Sequence, residues 1–557
     1  MITTVKAYAN CDDVYIVWKA DTRIEGCRGF ALYCKQNGEY RIVSTWVGFE
    51  GDSAIPGTRK PSTEWPIQKF MWCDYMAKSG DRVSYKVVPM VGSKGNLKPS
   101  DELASNWTKE IAVSASSASG VSAYFNRGIV ASQWLARKLG EVTPSEKQKK
   151  LSRIIADVND KTRNFLSGEL RMAMIRLFDE AHTSKGKIYA VLYELDDPEL
   201  EGALISLGKQ AEVILANGST KKKDEDQNEE ARAALKGKVN LYDRMLSPGR
   251  LAHNKFLILC DSKGKPKKAW TGSTNWTKTG LCTQANNGIL IDNPKIASFF
   301  KTQWNSLKKA KNNFPDELIK SNFKRKFFEI RDEKMAIWFT PVQDEKDLVE
   351  ATALINQAKQ GILFLMFNPG PRGTLLNAIV ERNSPASSTY NRNLYIHGVL
   401  NQDPSTEKNP IVGLFHRGEY TPANFNVLLP EAIDERLSYW IPEIKKKQNA
   451  WAMIHSKVVV IDPFGAYPVV ITGSHNLGPK ASSKNDDNLV IIENNPELAA
   501  AYAVNIMSIY NQYRWRYSRM QSEQPNKWTG LWDNDTWQDR YFKGAAIREL
   551  NFWLGQL

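Results

Sequence analysis

The stretch HSKVVVID at residues 455–462 has the same order of residue types as the stretch HNKFLILCD at residues 253–261. This internal repeat is the main evidence for the fold. Each stretch begins with His-x-Lys, continues as an apolar run of strand length and ends in Asp. A Gly-Ser-x-Asn turn and a second apolar strand that ends in an acid then follow. These later parts read TGSTNW (271–276) and QANNGILID (284–292) in the first copy, and TGSHNL (472–477) and NDDNLVIIE (485–493) in the second. A single His-x-Lys occurs by chance, but two ordered copies indicate a functional repeat.

The spacing between these parts repeats as well. The Asp and the following Gly are 11 residues apart in both copies, and the asparagines of the turn and of the next strand are 12 apart. The exception is the step from Lys to Asp, which is six positions from Lys255 to Asp261 and five from Lys457 to Asp462. An extra strand residue reverses the side-chain alternation unless a bulge absorbs it. We therefore predict a bulge or a distortion of the strand end near Leu259–Cys260.

The chain of 557 residues is too long for one ordinary core. We predict an α/β protein with two pseudo-symmetric α/β lobes, at 119–330 and at 331–557, the second ending in a helical tail. A small all-β sandwich at 1–118 precedes them, because short alternating apolar runs there are separated by Gly, Pro, Asp and Ser. The Ser/Ala/Gly-rich segment 114–123 is typical of a linker.

Within the lobes, helical and strand patterns alternate. Helical periodicity covers 125–139 and 168–182 in the first lobe and 345–359 in the second. Compact apolar runs such as 187–195 and 361–369 have the length of buried strands. This alternation predicts a parallel or mixed sheet with both faces covered.

The net charge of +14 and the sequence pI of about 9.2 suit a polyanionic partner, either nucleic acid or an anionic membrane surface. The same charge could simply keep the protein soluble, and charge alone does not choose between these interpretations. The six cysteines show no metal-ligand spacing, and the acidic run at 221–230 shows none either, so we expect no metal. Four cysteines lie in the first 73 residues and would allow a disulfide, although reduced thiols are the expectation. We see no signal peptide and no membrane-spanning run, which favours a cytoplasmic location and leaves export by a signal-less route open.

The two motifs resemble those of the phospholipase D superfamily, often called the HKD family. His455, Lys457 and Asp462 fit its His-x-Lys-(x)4-Asp pattern, whereas the first copy has its Asp one position late, at Asp261. The resemblance covers about 120–520. It implies a phosphodiesterase without cofactor or metal, in which both motifs meet at one site between the lobes, and a monomer that contains an internal pseudo-dimer.

The N-terminal region resembles fibronectin type III domains in the runs VYIVWK (14–19) and VSYKVVPMV (83–91). Such a domain could be an adaptor that recruits a substrate, a surface or a protein partner.

The residue types of the repeat suit a phosphodiester. Because the substrate is an anion, cationic and amide donors would offset its charge and orient its oxygens, and hydroxyl groups could add further donors. By motif position these donors are Lys255, Lys457, Asn275, Asn476, Ser273 and Ser474. Two histidines on opposite sides of one phosphate permit an in-line, two-step reaction. The resemblance implies a covalent phosphohistidine on His253, with His455 protonating the leaving oxygen and then deprotonating the attacking water.

Each histidine also needs an orienting partner. In the family a Glu shortly after the Asn of the turn often has this role; the second copy has Asp487 there, and the first copy has Asn286. The sequence therefore does not identify a carboxylate partner for His253. Asp487 could orient a histidine, or it could only cap a strand. We expect Asp261 and Asp462 to hold local structure, and His475 to line the pocket.

The motifs leave the substrate open. A nuclease is favoured by the basic charge and by three basic–aromatic segments, 510–519, 526–528 and 539–542, although these aromatic residues could simply pack the last helix. A lipid phosphodiesterase would use apolar loops, for which 367–376 and 464–468 are candidates. A binding protein with a degenerate site is the third class, and the intact His, Lys and Asn of both copies argue against it.

Overall fold

The computed structural model describes residues 1–52, 57–220, 222, 225–401, 404, 414–415, 425–428, 454–521, 530–543 and 545–557. Within these ranges the chain forms an N-terminal all-β region and two α/β lobes, which confirms the predicted fold class. Six unpaired cysteines are all buried. Among the described residues, no helix combines the length and the apolar character needed to cross a bilayer.

The N-terminal region consists of two main antiparallel sheets, ordered β1-β2-β7 and β10-β8-β3-β4, with β9 beside β8 and a short β5-β6 pair. The strands are β1 (Ile2–Ala9), β2 (Val14–Ala20), β3 (Cys27–Gln36), β4 (Glu39–Ile42), β5 (Ser44–Thr45), β6 (Lys60–Pro61), β7 (Met71–Asp74), β8 (Arg82–Ser93), β9 (Asn96–Pro99) and β10 (Ile111–Ala112). Large apolar side chains, among them Trp18 and Phe30, are fully buried between them. The likeness to fibronectin type III domains stays a prediction.

The first lobe contains a seven-stranded mixed sheet, ordered β11-β17-β16-β15-β12-β13-β14. Only β12, β13 and β14 are parallel neighbours. The strands are β11 (Val121–Phe125), β12 (Lys187–Leu192), β13 (Ala211–Ala216), β14 (Asn240–Arg244), β15 (Phe256–Cys260), β16 (Pro266–Gly272) and β17 (Asn287–Ile291). The helices are α1 (Ser132–Leu139), α2 (Pro144–Ala156), α3 (Lys161–Ser184), α4 (Pro198–Leu207), α5 (Glu229–Leu235), α6 (Lys278–Cys282), α7 (Pro294–Ala310) and α8 (Asp316–Asn322). Every side chain of β15 is buried, as expected for a strand covered on both faces.

The second lobe repeats this order in a nine-stranded sheet, β18-β19-β26-β25-β24-β20-β21-β23-β22, where β18 and β22 are additional edge strands. Its strands are β18 (Lys326–Ile330), β19 (Glu333–Phe339), β20 (Gly361–Met366), β21 (Tyr395–Leu400), β22 (Leu414–Phe415), β23 (Phe425–Leu428), β24 (Lys457–Ile461), β25 (Val469–Gly473) and β26 (Asn488–Glu493). Its helices are α9 (Lys346–Asn356), α10 (Leu375–Glu381), α11 (Pro479–Lys484), α12 (Pro496–Gln521) and α13 (Ala545–Trp553). The pairing of β12 with β15 therefore corresponds to the pairing of β20 with β24.

The predicted bulge is confirmed. Leu259 pairs with Lys268, but Cys260 pairs with Pro266, so the register of β15 against β16 shifts between these two residues. Lys267 of β16 is the residue left without a partner, so the extra residue of the bulge lies on the strand opposite the motif.

Two local predictions were wrong. The segment 114–123 is only partly a linker, because β11 begins at Val121 and pairs with β17. The helical pattern at 125–139 yields a helix only from Ser132, since Phe125 still belongs to the strand. In both places tertiary pairing overrides the local composition.

The end of the chain packs on the N-terminal region. Tyr8 donates its hydroxyl to the backbone oxygen of Trp553 at 2.6 Å, and the Trp537 indole donates to the backbone oxygen of Cys27 at 3.0 Å. Arg127, just after β11, forms ion pairs with the N-terminal region as well. The N-terminal region is thus anchored to the first lobe and to the chain end.

The basic–aromatic segments at the chain end are largely packing elements. Tyr510 is buried, Arg514 pairs with Glu549 at 3.0 Å, and Tyr541 is buried beside the N-terminal region. The segment 526–528 lies outside the described residues. The packing alternative considered for these aromatic residues therefore holds for the described ones, which give no support for base stacking.

Candidate active site

The two lobes meet through a pair of equivalent backbone contacts. Ala252 forms a parallel β-bridge with Asp486, and Ala285 forms one with Ile454. Ala252 and Ile454 come directly before the two His-x-Lys motifs. Asp486 and Ala285 lie just before strands β26 and β17. The bridges therefore place the histidine-bearing loop of each lobe against the last motif strand of the other.

Side-chain hydrogen bonds reinforce this junction on both sides of the pseudo-twofold axis. Thr271 donates its hydroxyl to Oδ1 of Asn488 at 2.8 Å, and Asn287 donates its amide to the Thr472 hydroxyl at 3.0 Å. All four residues are buried. These hydrogen bonds lie directly behind the motif residues, and the buried Oδ1 of Asn287 has no hydrogen-bond partner among the residues that the structure describes.

Each histidine takes its partner from the other lobe. Nδ1 of His253 lies 2.7 Å from Oδ1 of Asp487, and Nδ1 of His455 lies 3.0 Å from Oδ1 of Asn286. The sequence left the carboxylate partner of His253 open because its own copy has an amide. The structure shows that the carboxylate partner of His253 is Asp487 of the second lobe. Asp487 is therefore not merely a strand cap.

The two motif serines hold these partners in place. Ser273 donates to Oδ1 of Asn286 and Ser474 donates to Oδ1 of Asp487, each at 2.7 Å. Both hydroxyl groups are buried and engaged. The structure therefore places them behind the histidines, and the expectation that they act as additional donors to the phosphate is corrected.

The hydrogen bonds also fix the tautomer of His455. Asn286 donates Nδ2 to the backbone oxygen of Gly280 at 2.9 Å, so its Oδ1 must face the imidazole. An acceptor at Nδ1 requires that Nδ1 carry the proton of the neutral ring. Asp487, which is an acceptor when ionised, imposes the same tautomer on His253. Nε2 is then the basic nitrogen of both rings.

Burial keeps the histidines neutral in the empty site. It lowers the pKa of His253 to about 4, although the Asp487 carboxylate acts in the opposite direction. Burial also lowers the pKa of His455 well below its ordinary value, and the ammonium groups of Lys457 and Lys255 lower it further. The exchanged histidine partners and the two β-bridges bring the two motifs together at one site.

The motif lysines are held in matching positions. Nζ of Lys255 donates to the backbone oxygen of His253 at 2.6 Å, and Nζ of Lys457 donates to that of His455 at 2.5 Å. An aromatic ring lies against each ammonium: Tyr193 is 4.6 Å from Nζ of Lys255, and Phe367 is 4.8 Å from Nζ of Lys457. Each of these rings is the first residue after β12 or β20.

The lysine pKa values are also shifted. Burial lowers the pKa of Lys255 to about 7, while the carboxylates of Asp487 and Glu194 favour its charged form. Burial lowers the pKa of Lys457 well below its ordinary value. An entering phosphate anion would favour the charged form of both lysines.

The asparagines of the two turns differ in their contacts. Asn275 is buried and donates Nδ2 to Oε2 of Glu194 at 2.5 Å, whereas Asn476 is partly exposed. The buried Oδ1 atoms of both asparagines have no hydrogen-bond partner. The sequence analysis missed Glu194 because it lies outside the repeated motif; the available signal was an acid near the end of the apolar run 187–195.

Three further residues considered from the sequence lie away from the reacting groups. Asp261 and Asp462 follow the ends of β15 and β24 opposite the histidines, where they accept backbone N–H groups of neighbouring turns. His475 was expected to line the pocket, but it is fully buried with Nε2 3.1 Å from Oδ2 of Asp347. That expectation was wrong because the ring turns into the lobe.

Across the described part of the chain, no group of three or more His, Cys, Asp or Glu side chains has the arrangement of a metal site. The groups converging on the site are thus two imidazoles, two ammonium groups and two carboxamides, with Asp487 and Glu194 beside them.

A family model described as cardiolipin synthase, PLD-like domain, matches residues 174–308 and 352–510, which is more than half of the chain. The chain belongs to the phospholipase D superfamily. A phospholipase D from Rickettsia bellii (strain RML369-C) is 31% identical over 137 residues, which is 24% of this chain and 62% of that protein. The match therefore spans less than two thirds of that relative.

Solved structures of this superfamily and related enzymes are similar as well. Phosphatidylserine synthase from Haemophilus influenzae Rd KW20 is 12% identical, with 70% of this chain and 94% of that chain covered and a TM-score of 0.41. The phospholipase D family member Nuc from Salmonella typhimurium is 20% identical, with 32% and 96% covered and a TM-score of 0.21.

Proposed function

We propose that this phospholipase D superfamily protein is a phosphodiesterase that needs no metal, with His253 as nucleophile and His455 as general acid and base. The observation that carries the proposal is the exchange of histidine partners between the lobes. It engages Nδ1 of each ring with the other lobe and assigns the chemistry to the two Nε2 atoms, beside Lys255 and Lys457.

In the first step, Nε2 of His253 attacks phosphorus and the bond to the leaving oxygen breaks. The ring becomes a phosphoimidazolium, whose charge the Asp487 carboxylate, 2.7 Å from Nδ1, stabilises. His455 takes up a proton when the anionic substrate enters, because a nearby negative charge raises its pKa. It then donates this proton from Nε2 to the leaving alcohol.

In the second step, His455 accepts a proton from water at Nε2 and the resulting hydroxide attacks phosphorus. The nitrogen–phosphorus bond breaks, and a phosphomonoester leaves. Lys255, Lys457, Asn275 and Asn476 stabilise the charge of both transition states. The amide partner of His455 suits this role, because a neutral Asn286 does not hold the ring permanently in its charged form.

A nitrophenyl diester separates these roles. In bis(p-nitrophenyl) phosphate the leaving group needs no proton, so His455→Ala should release one equivalent of nitrophenolate and then stall with an adduct on His253. His253→Ala should give no burst. The adduct is located by mass spectrometry after an alkaline quench, in the presence of EDTA. An adduct on His455, or turnover by both variants at the wild-type rate, would contradict the assignment.

We propose nucleic acid as the substrate, supported by the net charge of +14 and by the position of the basic helices α1 and α2. The segment that leads into them starts beside the site, because Asn126 accepts the backbone N–H of Asn286 at 3.0 Å. Exposed cations follow on these helices: Arg137, Lys138, Lys149, Lys150 and Arg153. Such a surface attracts a polyanion to the site.

A phospholipid is the second candidate, favoured by the description of the matching family model and by the name of the Rickettsia relative. The loops expected to contact a membrane support it less, because Leu375 and Leu376 are buried and Phe464 packs on Tyr8 at 4.5 Å. Cleavage of plasmid DNA, RNA and phosphatidylcholine vesicles should be compared directly, with EDTA present. Cleavage of the vesicles alone would overturn the nucleic-acid proposal.

A further inference from the structure

The two halves of the site differ by one carboxylate. Glu194 lies two residues after β12, and Asn368 lies at the equivalent place two residues after β20. Oε2 of Glu194 accepts a hydrogen bond from Nδ2 of Asn275 at 2.5 Å, whereas Asn368 is exposed. Only the first half of the site thus has an acid directly behind its motif asparagine.

The backbone fixes the position of this acid. Leu195 and Trp276 form a parallel β-bridge, in which the N–H of Trp276 donates to the backbone oxygen of Glu194 at 3.1 Å. The N–H of Asp196 in turn donates to the backbone oxygen of Trp276 at 3.0 Å. The segment carrying Glu194 therefore runs beside the turn that carries Asn275, and the contact between the two side chains is built into the fold.

The charges around Glu194 are nearly balanced. The ammonium groups of Lys255 and Lys457 and the carboxylate of Asp196 act electrostatically on its carboxylate, and Asn275 and Gln227 are its neutral hydrogen-bond partners. Burial raises the pKa of Glu194, and Lys255 opposes that effect. With both histidines neutral, two ammonium groups face two site carboxylates, Asp487 and Glu194. Without Glu194 the same site would carry one net positive charge.

We propose that Glu194 is a positioning and specificity-determining residue, which holds the Asn275 carboxamide and weakens the binding of doubly charged phosphates relative to singly charged phosphodiesters. This inference rests on the proposed function. A phosphodiester has one negative charge and the phosphomonoester product has two near neutral pH. The carboxylate therefore helps the product to leave while the substrate still binds.

The charge dependence gives a quantitative signature. Coulomb energy is proportional to the charge of the ligand. The repulsion energy between the Glu194 carboxylate and a bound dianion is therefore twice that for a monoanion. The fold-change in affinity for the dianion should then be the square of that for the monoanion. We expect Glu194→Gln to tighten monoanion binding about threefold and dianion binding about tenfold.

Calorimetric titration of the full chain at pH 6.5, below the pKa of about 7 of Lys255, tests this proposal with sulfate as the dianion and dimethyl phosphate as the monoanion. Glu194→Gln keeps an oxygen that accepts from Asn275, so the fold-changes report the charge. In Glu194→Asp the charge is kept, but the shorter side chain cannot accept the hydrogen bond from Asn275. The anion affinities of this variant should stay near wild type, while its kcat for bis(p-nitrophenyl) phosphate should fall. Asp196→Asn removes an exposed carboxylate two positions away and should change both affinities less than twofold.

Equal fold-changes for the two anions in Glu194→Gln, or no change at all, would overturn the charge selectivity, even with the proposed function intact. An unchanged kcat in Glu194→Asp would overturn the positioning role. If wild type binds neither anion, the proposed function and this inference both fail. Binding to wild type with His253→Ala inactive, together with unequal fold-changes, supports both.

Discussion

Replacement of Asp487 by Asn tests the contact that distinguishes the two histidines. The substitution keeps the size of the side chain and an oxygen for the Ser474 hydroxyl and for Nδ1 of His253, both 2.7 Å from Oδ1. Asn286 already has this arrangement with Ser273 in the other half of the site. The change therefore removes a charge and keeps these two hydrogen bonds, while the longer one from Nδ2 of Asn485 to Oδ2, at 3.3 Å, is lost.

The size of the effect follows from the type of hydrogen bond that is lost. A hydrogen bond to a charged group contributes about 1.5–3 kcal/mol, against about 0.5–1.5 kcal/mol for a neutral one. The phosphoimidazolium on His253 should thus lose about 1–1.5 kcal/mol of stabilisation. Since each 1.36 kcal/mol is tenfold in rate, kcat should fall roughly 5- to 13-fold.

A second signature accompanies this fall. Asp487 favours the charged form of Lys255, so its removal should lower the pKa of Lys255 below the value of about 7. The fall of kcat/KM at high pH should therefore begin at lower pH in Asp487→Asn than in wild type. Stopped-flow release of nitrophenolate from bis(p-nitrophenyl) phosphate, measured across pH, reports both quantities.

Asp261→Asn is the matched control, because it makes the same chemical change at the end of β15 away from the histidines. Its kcat and pH profile should equal those of wild type. If Asp487→Asn keeps kcat within twofold, or if the control loses as much activity, the role given to the exchanged carboxylate is refuted.

Three further predictions concern the site and the fold. In wild type, kcat/KM for the nitrophenyl diester should rise as pH passes about 4, where His253 loses its proton, and should fall as pH passes about 7, where Lys255 loses its proton. A profile of kcat/KM that is independent of pH from 4 to 9 would contradict both assignments. Asn275→Ala should lower kcat by about 10²–10³, as the loss of one preorganised donor does, and a kinetic comparison showing less than a twofold change would exclude it from the transition state. Trp553→Ala should cost about 3–5 kcal/mol of unfolding free energy in urea titration, because the ring is fully buried beside Tyr15 at 4.3 Å; a cost below 1 kcal/mol would show that the chain end contributes little.

The repeat made the main features of the site predictable from sequence. Matched spacing identified both histidines and both lysines, and even a one-residue mismatch led to the correct bulge at Leu259–Cys260. These features follow from strand alternation and local order along the chain, which a sequence displays directly.

Features that depend on contacts between distant segments were not visible in this way. The partner of His253 lies 234 residues away, in the other lobe. Aligning the two copies of the motif does not reveal that each histidine takes its partner from the opposite copy. Glu194 was missed for a related reason, since only the bridge between Leu195 and Trp276 brings it to Asn275. The aromatic residues near the chain end gave no sign of whether they face solvent or the N-terminal region.

The packing of the chain end on the N-terminal region has a consequence for folding during synthesis. The hydrogen bond from Lys6 to the backbone oxygen of Leu554 joins residues that are 548 positions apart, and α13 lies against β2. A ribosome makes β2 long before it makes this helix, so the apolar surface around Tyr15 stays uncovered until α13 has emerged. The N-terminal region therefore acquires its full native core only after both lobes have been synthesised.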